Sequence, residues 1–304
     1  MQLGFALPTS GSWARRDNMA ALARRAEELG YVSLWTFQRL LYPPDSGWAP
    51  VYRSVHDPIV PLAYVAGLTS RARLGTAIVN APFYSPILLA KLLTTLDEVS
   101  GGRLDAGLAL GWSQEEFAAA GVGYERRGAR LEELVRCLRR IWTEPVVDFD
   151  GDFYRVPRAR VDPKPVQRPH PPLLFGGTAE PALRRAGRLA DGWISSSRAD
   201  LSALDRSIAV VRNAAAAAGR DPDMLRFVAR GVVQVRPAGG GDAPPLTGPI
   251  DKIRDDLVRV AEQGATELFV DLNFDPEIGS PDADHAESVR RAHQVLEALA
   301  PGSR

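Results

Sequence analysis

The residues of this sequence best suited to hold a ligand form a glycine turn, Gly176-Gly177-Thr178, directly before a segment of helical pattern. The first N–H groups of a helix have no partner inside the helix, and the helix dipole adds partial positive charge at this end. Such a turn is well suited to bind a phosphate group. The same residues also fit an ordinary turn in which Thr178 caps the helix, and both interpretations stay open at this point.

Side chains that usually carry acid–base, Schiff-base or metal chemistry are few and scattered. The three lysines, Lys91, Lys164 and Lys252, lie on two predicted helices and a proline-rich segment, where none is placed for a Schiff base. The four histidines form no HExxH motif, so the sequence predicts no metal site. Glu115 is the one carboxylate near a strand end in the first half of the chain, which argues against a glycosidase pair. Such a composition favours chemistry carried out by a bound cofactor.

The elements that would position these residues follow a βα rhythm, in which short apolar runs alternate with amphipathic segments. The stretch Arg73–Phe117 contains a β-prone run over Leu74–Val79, a helix that starts at Ser85-Pro86, and a strand over Leu104–Leu110. In that helix, the predicted apolar face consists of Ile87, Leu88, Lys91, Leu92, Thr95, Leu96 and Val99. In the second strand, apolar residues alternate with small or polar ones, as expected between a helix layer and a tightly packed interior.

Eight βα units can be traced in the 304 residues. This number predicts an α/β fold, a (β/α)8 TIM barrel, whose chains typically have ~250 residues before insertions. A doubly wound sheet is the main rival, but its glycine fingerprint is missing from the first βα turn, which reads PTSGSW. We expect residues 1–304 to form a single domain, in which residues 146–172 are an insertion made of a hairpin and a proline-rich segment.

The net charge and the cysteine content indicate which kinds of partner and which cellular compartment to expect for this protein. The formal net charge is zero, with 37 basic and 37 acidic residues, which argues against nucleic acid or an anionic membrane as the main partner. The N-terminus shows no signal-peptide pattern, and nothing approaches the roughly 18 apolar residues of a membrane span. Cys137 is the only cysteine, so the sequence predicts no internal disulfide and a cytoplasmic location. On its predicted helix Cys137 is interpreted as a small apolar residue.

In a barrel of this type the active site is built from the loops at the C-terminal ends of the strands. That rule selects these candidates by position: Pro8, Ser10, residues 36–39, 80–84, 111–115, 176–178 and 195–198, Arg236 and Asn273. The loop from Phe37 to His56, with Tyr42, Trp48 and Tyr52, is too long for a mere connector. We expect it to line a substrate pocket, and the alternative is a surface lid that packs on itself.

Five blocks of the sequence carry a family resemblance: RLGT before the third strand, LLAKLLTTLDEVSGGRLDAGLALGWSQEEF, RRGARLEELVRCLRRIW, DPKPVQRPHPPLLFGG and RRAGRLADGWIS. Together they resemble the bacterial luciferase-like oxidoreductases over nearly the whole chain. Within that superfamily the chain is most similar to the actinobacterial branch that uses the deazaflavin coenzyme F420. FMN-dependent members share most of these blocks.

The resemblance implies a cofactor, coenzyme F420 or alternatively FMN, lying across the strand ends, in a protein that is commonly a homodimer. A non-prolyl cis peptide that backs the cofactor ring in the family maps to Ala77-Ile78. The residues implied to bind the cofactor are Ala77, Ile78, Asn80, Gly176, Gly177, Thr178, Ser195 and Ser196. Those expected nearest to the chemistry are Gln38, Trp112 and Glu115.

The chain departs from the family at the end of the second strand. Many deazaflavin-dependent members have an Asp-His pair there, whereas this sequence reads Thr36-Phe37-Gln38-Arg39. Gln38 can form hydrogen bonds but cannot transfer a proton as imidazole does, which disfavours sugar-phosphate dehydrogenation. The sequence predicts an F420-dependent oxidoreductase that moves hydride to or from a small organic substrate. The alternatives are an FMN-dependent monooxygenase that uses O2 and a non-catalytic flavin-binding barrel.

Overall fold

Strands and helices alternate along the chain, and the computed structural model describes residues 1–239 and 243–302. The strands of that part are β1 (Gln2–Ala6), β2 (Ser33–Thr36), β3 (Arg73–Thr76), β4 (Val79–Asn80), β5 (Leu104–Ala109), β6 (Val147–Asp150), β7 (Arg155–Ala159), β8 (Leu173–Gly176), β9 (Gly192–Ile194), β10 (Arg226–Val232), β11 (Gln234–Val235), β12 (Thr247–Gly248) and β13 (Glu267–Asp271). The helices are α1 (Arg16–Glu28), α2 (Ile59–Ala66), α3 (Pro86–Val99), α4 (Gln114–Ala119), α5 (Arg127–Thr143), α6 (Glu180–Leu189), α7 (Leu204–Ala217), α8 (Ile250–Glu262) and α9 (His285–Ala298).

Eight of these strands close into a barrel in the order β3-β2-β1-β13-β10-β9-β8-β5, and β5 pairs again with β3. All pairs in this ring are parallel. The two-residue strand β4 follows β3 after residues 77–78 and also pairs with β5, so the predicted run Leu74–Val79 is two strands instead of one. The predicted (β/α)8 TIM barrel is confirmed, and the doubly wound alternative is wrong.

The fifth strand separates two layers of side chains. Its leucines join the main core between barrel and helices, whereas Asp105 and Gly107 face the barrel interior, so the predicted alternation is confirmed. A Cβ on Gly107 would lie 1.8 Å from the Thr76 carbonyl oxygen, and only glycine fits there. Asp105 accepts from Arg73 at 2.9 Å and from Arg226 at 2.7 Å, at the start of β3 and β10. This carboxylate therefore closes the bottom of the barrel, opposite the predicted site.

The buried face of α3 differs from the predicted one. Ser85 caps the helix as predicted, with its Oγ accepting from the Leu88 N–H at 3.3 Å. The face toward the core consists of Pro86, Leu89, Ala90, Leu93, Thr94, Leu96 and Asp97. Leu88, Leu92 and Val99, which the pattern places in the core, are 62, 40 and 56 % exposed. The helix carries two apolar stripes, and periodicity alone does not say which of them meets the barrel.

The predicted hairpin within residues 146–172 is formed by the antiparallel strands β6 and β7. Glu133 of α5 accepts hydrogen bonds from the backbone N–H groups of residues 152–154 beside the hairpin turn, at 2.8 to 2.9 Å.

Cys137 on the same helix is buried in the apolar core, as predicted. None of the helices in the described part of the chain has the length and apolar character needed to cross a membrane.

Candidate active site

A cavity of about 330 Å³ lies at the C-terminal ends of the barrel strands. Its walls come mainly from the segments that follow β2, β3, β5, β8 and β9, together with Arg230 of β10 and Phe274 after β13. All eight residues implied to bind the cofactor line it: Ala77, Ile78, Asn80, Gly176, Gly177, Thr178, Ser195 and Ser196. Gln38 and Trp112 line it as well, whereas Glu115 does not. The barrel therefore collects nearly all of the predicted site residues in one place.

The peptide bond between Ala77 and Ile78 is cis, at the position that the resemblance indicates. It lies between β3 and β4, and the Ala77 N–H donates to the Thr36 carbonyl at 2.6 Å. Nη1 of Arg230 donates to the Ala77 carbonyl at 3.1 Å, while Nε and Nη2 of the same guanidinium lie 2.7 Å from an Asp271 oxygen. Sequence reasoning missed Arg230, because nothing in the β10 pattern distinguishes it from the other arginines of the chain.

The glycine turn after β8 leads into α6 without a side-chain cap. The N-cap residue is Ala179, which has no side-chain acceptor, so the alternative in which Thr178 caps the helix is wrong. Gly177 has a φ of +138°, and a Cβ at this position would lie 2.7 Å from that of Ala182. The Gly177 carbonyl accepts from Trp193 Nε1 at 2.8 Å, which holds the turn in place. Pro181 has no N–H and the Ala182 N–H donates to the Ala179 carbonyl at 2.8 Å, so the donors that the described structure leaves for an anion at this end are the backbone N–H groups of residues 178–180.

The two serines after β9 accept hydrogen bonds from the backbone. The Ser195 hydroxyl is buried and accepts from the Arg230 N–H at 2.9 Å. The Ser196 hydroxyl is partly exposed and accepts from the Arg198 N–H at 3.2 Å. A hydroxyl that accepts still has its own proton to donate, so both side chains suit a ligand acceptor.

Gln38 is buried, and both ends of its amide are used within the protein. Nε2 donates to the Tyr84 hydroxyl at 2.7 Å, and Oε1 accepts from the Asn80 N–H at 2.8 Å. Burial raises the pKa of Tyr84, and the hydrogen bond from Gln38 opposes that shift. Gln38 thus braces the segment around β4, and a role next to the reacting atoms stays a prediction.

The amide nitrogen of Asn80 has no hydrogen-bond partner among the described residues. The residue is 1 % exposed and lines the cavity. Buried donors in folded proteins nearly always have a partner, either in the protein or in a bound molecule. Nδ2 of Asn80 is therefore a donor for which the cavity's ligand is the natural acceptor.

The loop after β5 turns Glu116, not Glu115, toward the interior of the protein. Trp112 lines the cavity and packs on Trp48, with ring centroids 4.7 Å apart. Glu115 is exposed, and a 2.7 Å hydrogen bond from the Ser113 hydroxyl lowers its pKa. Glu116 is fully buried. Because successive helical residues point about 100° apart, α4 turns Glu116 inward and leaves Glu115 exposed and off the cavity wall, so a role of Glu115 next to the chemistry stays a prediction.

The long loop after β2 both lines the cavity and packs on itself. Phe37 and Tyr52 line the cavity, as predicted. Trp48 packs behind them, with its ring centroid 6.0 Å from that of Tyr52 and 6.3 Å from that of Tyr42. Phe274 completes the cluster at 5.6 Å from Tyr52. Phe37 and Tyr52 of this loop thus line the cavity, whereas Tyr42 and Trp48 pack within the loop itself.

The charge of the cavity wall is positive. Arg39, Arg127 and Arg230 line it, and no lining residue in the described part of the chain is Asp, Glu, Lys or His. Nε of Arg127 is buried and has no hydrogen-bond partner among the residues that the structure describes. A neighbouring groove of about 490 Å³ shares five lining residues with the cavity and adds one basic and one acidic residue, Arg198 and Asp200. An anionic ligand would be favoured here, because guanidinium groups outnumber carboxylates along the wall.

Comparison with known proteins identifies relatives over most of the chain. Residues 1–238 match the sequence model of a family described as luciferase-like monooxygenase. An uncharacterised protein of Mycobacterium tuberculosis is 34 % identical over 285 residues, which cover 88 % of this chain and 99 % of that protein. An FMNH2-dependent dimethylsulfone monooxygenase of Pseudomonas putida is 34 % identical over 167 residues, or 54 % of this chain and 46 % of that enzyme.

Solved structures share the architecture over the full length. The monooxygenase RslO1 from Streptomyces bottropensis has a TM-score of 0.79 at 25 % identity, with 98 % of each chain covered. An F420-dependent secondary alcohol dehydrogenase, solved with an F420–acetone adduct, has a TM-score of 0.77 at 18 % identity, with 99 % of each chain covered. The second likeness shows a common fold and no more.

Proposed function

Because this chain belongs to the luciferase-like monooxygenase family, we propose that it is a coenzyme F420-dependent oxidoreductase that transfers hydride between the deazaflavin and a small organic substrate. The observation that carries the proposal is the cavity itself. Its described lining includes no Asp, Glu, Lys or His, and three of its buried donors have no partner there: Nδ2 of Asn80, Nη1 of Arg39 and Nε of Arg127. A wall that offers binding groups but no carboxylate, imidazole or lysine suits a reaction carried out by a bound cofactor. The deazaflavin is preferred to FMN because the five sequence blocks are most similar to the F420-using branch.

The cavity residues fit a planar cofactor that carries a phosphate. The backbone N–H groups of residues 178–180, where the glycine turn enters α6, would donate to the phosphate. Ile78 and Gly176 form a close apolar surface for a ring, since a Cβ on Gly176 would lie 3.1 Å from Ile78. Nδ2 of Asn80 would donate to a polar atom of the ring system, and Arg127 would balance negative charge.

A bound deazaflavin would supply a two-electron hydride carrier that reacts poorly with oxygen. The protein's own residues bind, orient and shield the reactants. Phe37, Tyr52 and Trp112 give the cavity an aromatic wall on which a flat ligand can pack. Arg230, held by Asp271, fixes the Ala77 carbonyl. Because the described wall has no imidazole or carboxylate, it favours reaction at an activated double bond or imine over oxidation of an alcohol, which needs a base for the hydroxyl proton.

A second candidate function is an FMN-dependent monooxygenase. It is supported by the Pseudomonas putida relative, whose name states FMNH2 dependence and whose identity to this chain is 34 % over 167 residues. The same cavity residues would hold the FMN phosphate. The two candidates differ in their need for oxygen, because the monooxygenase consumes O2 and the hydride transfer does not.

A third candidate, a non-catalytic flavin-binding barrel, predicts a closed or filled mouth. The cavity and the adjoining groove have five lining residues in common, namely Tyr52, Trp112, Thr178, Ser196 and Ser197. Two adjoining spaces of about 330 and 490 Å³ leave room for a second reactant beside a cofactor. This arrangement favours an enzyme.

Titration of the purified cofactor-free protein with F420 and, separately, with FMN tests the proposal. Tryptophan fluorescence reports binding, because Trp112 lines the cavity. We expect saturable binding of F420 that is tighter than that of FMN. Tight FMN binding with no response to F420 would contradict the proposal, and oxygen-dependent turnover of the FMN-loaded protein would establish the second candidate instead. Binding of a flavin without turnover in air or under argon would support the third.

We also propose that the protein is a homodimer that uses the outer faces of α2 and α3. Leu88, Leu92 and Val99 of α3 and Val60 of α2 are 40 to 67 % exposed, on two helices that pack against each other. Light scattering coupled to size exclusion should give twice the chain mass. Leu92→Glu should shift it to the monomer, whereas Val258→Glu, at an exposed valine of α8, should not. A monomeric unmodified protein would contradict the proposal.

A reducing, cytoplasmic location is the compartment that we propose. Cys137, the only cysteine, is buried and forms no disulfide. The fold therefore needs no oxidising compartment. Fractionation of cells that express the native gene tests this, and recovery outside the cytoplasm would contradict it.

A further inference from the structure

Arg39 holds an unusual position in the wall of the cavity. It follows β2, lines the cavity, and its side chain is only 6 % exposed. Its guanidinium carbon lies 5.5, 5.2 and 4.7 Å from the ring centroids of Trp48, Tyr52 and Trp112. Three aromatic rings therefore surround this cation and take the place of most of its water.

The hydrogen bonds of Arg39 are incomplete. Nε donates to the Gln38 carbonyl at 3.1 Å. Nη2 lies 3.5 Å from Oε2 of Glu116, and this oxygen has no hydrogen bond in the described structure. The other oxygen of Glu116 is already engaged, because it accepts from the Leu40 N–H at 2.8 Å. Nη1 of Arg39 has no partner at all among the described residues.

Arg230 provides the contrast within the same cavity. Its guanidinium lies between Phe37 and Phe274, at 4.8 and 4.5 Å from the ring centroids. Nevertheless each of its nitrogens has a partner, because Asp271 takes Nε and Nη2 and the Ala77 carbonyl takes Nη1. An aromatic surrounding alone therefore does not leave an arginine unpaired, and the open donor of Arg39 is specific to that position.

The electrostatic surroundings of Arg39 lead to the same conclusion. Burial lowers the pKa of its guanidinium, the charge of Glu116 opposes this shift, and Arg230 and Arg198 add to it. The cation is thus stripped of water and only partly compensated, since Glu116 is its one carboxylate partner in the described structure. A second anion in contact with Nη1 would stabilise it.

We propose that Arg39 binds the carboxylate of a substrate whose carboxyl group is attached to a flat aromatic or conjugated skeleton. The open Nη1 lies in the plane of a guanidinium, which matches a planar carboxylate, and the rings of Tyr52 and Trp112 beside it suit a flat skeleton. The phosphate of the proposed cofactor would bind at the turn after β8, and in the barrel ring β8 lies three strands away from β2. The inference rests on the proposed function, since it assigns the anion to the substrate and not to the cofactor.

The experiment compares carboxylates with their neutral amides. The probes are trans-cinnamate and trans-cinnamamide, and benzoate and benzamide, each titrated into the F420-loaded and the cofactor-free protein. Four proteins are used: the unmodified chain, Arg39→Gln, Arg39→Lys and the control Arg53→Gln. Arg53 lies in the same loop but is exposed and paired with Asp282 outside the cavity. Calorimetry and tryptophan fluorescence give the dissociation constants, and F420 affinity is measured for every variant.

We expect the unmodified protein to prefer the carboxylate by roughly 10- to 150-fold, the range of a hydrogen bond to a charged group. Arg39→Gln should remove this preference with F420 affinity unchanged, Arg39→Lys should retain part of it, and Arg53→Gln should retain all of it. The proposal is overturned if the unmodified protein does not discriminate, or if Arg39→Gln still does. It is also overturned if Arg39→Gln loses F420 affinity while Arg53→Gln does not, because Arg39 then serves the cofactor. If Arg39→Gln does not fold, Arg39→Lys and the carboxylate–amide comparison in the unmodified chain decide.

Failure of the proposed function would look different. In that case the unmodified protein would not bind F420, whereas a carboxylate preference in the cofactor-free protein would still report on Arg39.

Discussion

Replacing Asn80 with leucine separates the role of its unpaired amide in binding from its role in stability. Leucine has nearly the shape of asparagine but lacks the donor. In the cofactor-free protein Nδ2 is buried without a partner, and an unpaired buried donor costs about 1–3 kcal/mol. Asn80→Leu should therefore leave the free energy of unfolding unchanged or raise it by ~1 kcal/mol. The backbone hydrogen bond from the Asn80 N–H to Gln38 remains in the variant, so the loop keeps its anchor.

Cofactor binding should change in the opposite direction. If the ligand accepts from Nδ2, the variant loses one hydrogen bond worth about 0.5–1.5 kcal/mol, which raises the dissociation constant of the cofactor roughly 2- to 13-fold. Urea unfolding of the cofactor-free protein measures the first effect, and titration with F420 and with FMN measures the second. A gain or no change in stability together with a loss of affinity is the expected signature.

Thr9→Val is the matched control, because Thr9 is fully buried and, among the described residues, its hydroxyl has no partner and it is not part of the cavity lining. This variant should likewise gain stability or keep it, and it should bind the cofactor as the unmodified protein does. The reasoning would be refuted if Asn80→Leu bound both cofactors with unchanged affinity. It would also be refuted if Asn80→Leu unfolded more easily by more than about 1 kcal/mol, since Nδ2 would then have a protein partner.

Three further predictions follow from the site and its surroundings. Gly177→Ala should lower the free energy of unfolding by about 1–3 kcal/mol and weaken cofactor binding, because its φ of +138° and the 2.7 Å approach to Ala182 leave no place for a Cβ; unchanged melting and affinity would contradict this. Glu116→Gln should lower the free energy of unfolding in urea by roughly 1–3 kcal/mol, because the buried Arg39 loses its counter-charge. The exposed control Glu115→Gln should change it by no more than about 0.5 kcal/mol. Equal losses in the two variants would contradict this reasoning. Burial raises the pKa of the Cys137 thiol from 9.0 to about 11, so the folded protein keeps this proton to a higher pH than the unfolded chain does. The free energy of unfolding should therefore fall as the pH rises from about 9 to 11. If a Cys137→Ala protein showed the same pH dependence, another group would be responsible.

The fold was predictable because its signals are local. The alternation along β5, the cap and proline at the start of α3, and the Asp-Gly turn between β6 and β7 are each set by neighbours in sequence. Repeated eight times, the βα pattern has few closed arrangements, and the barrel is the one that fits a chain of 304 residues. The position of the mouth then follows, because all strands of a parallel barrel end on the same side.

The outward face of α3 was not predictable for the opposite reason. Leu88 and Leu92 satisfy the helical period as well as Leu89 and Leu93 do, so both stripes have the local pattern of a core. Only the docking of the helix on the barrel decides between them. The same holds for Glu115 and Glu116, which differ by about 100° around α4 and therefore by whether they meet water or Arg39.

The sequence by itself determined the barrel and the end of it at which the glycine turn lies, because both depend on short-range pattern and on the order of the strands. Only the tertiary structure decided which polar groups are left without a partner. No sequence pattern distinguishes Arg39 from Arg230, yet every guanidinium nitrogen of Arg230 has a partner, whereas Nη1 of Arg39 has none among the described residues. Hydrogen-bond satisfaction is a property of groups that come together from distant parts of the chain, and no local pattern encodes it.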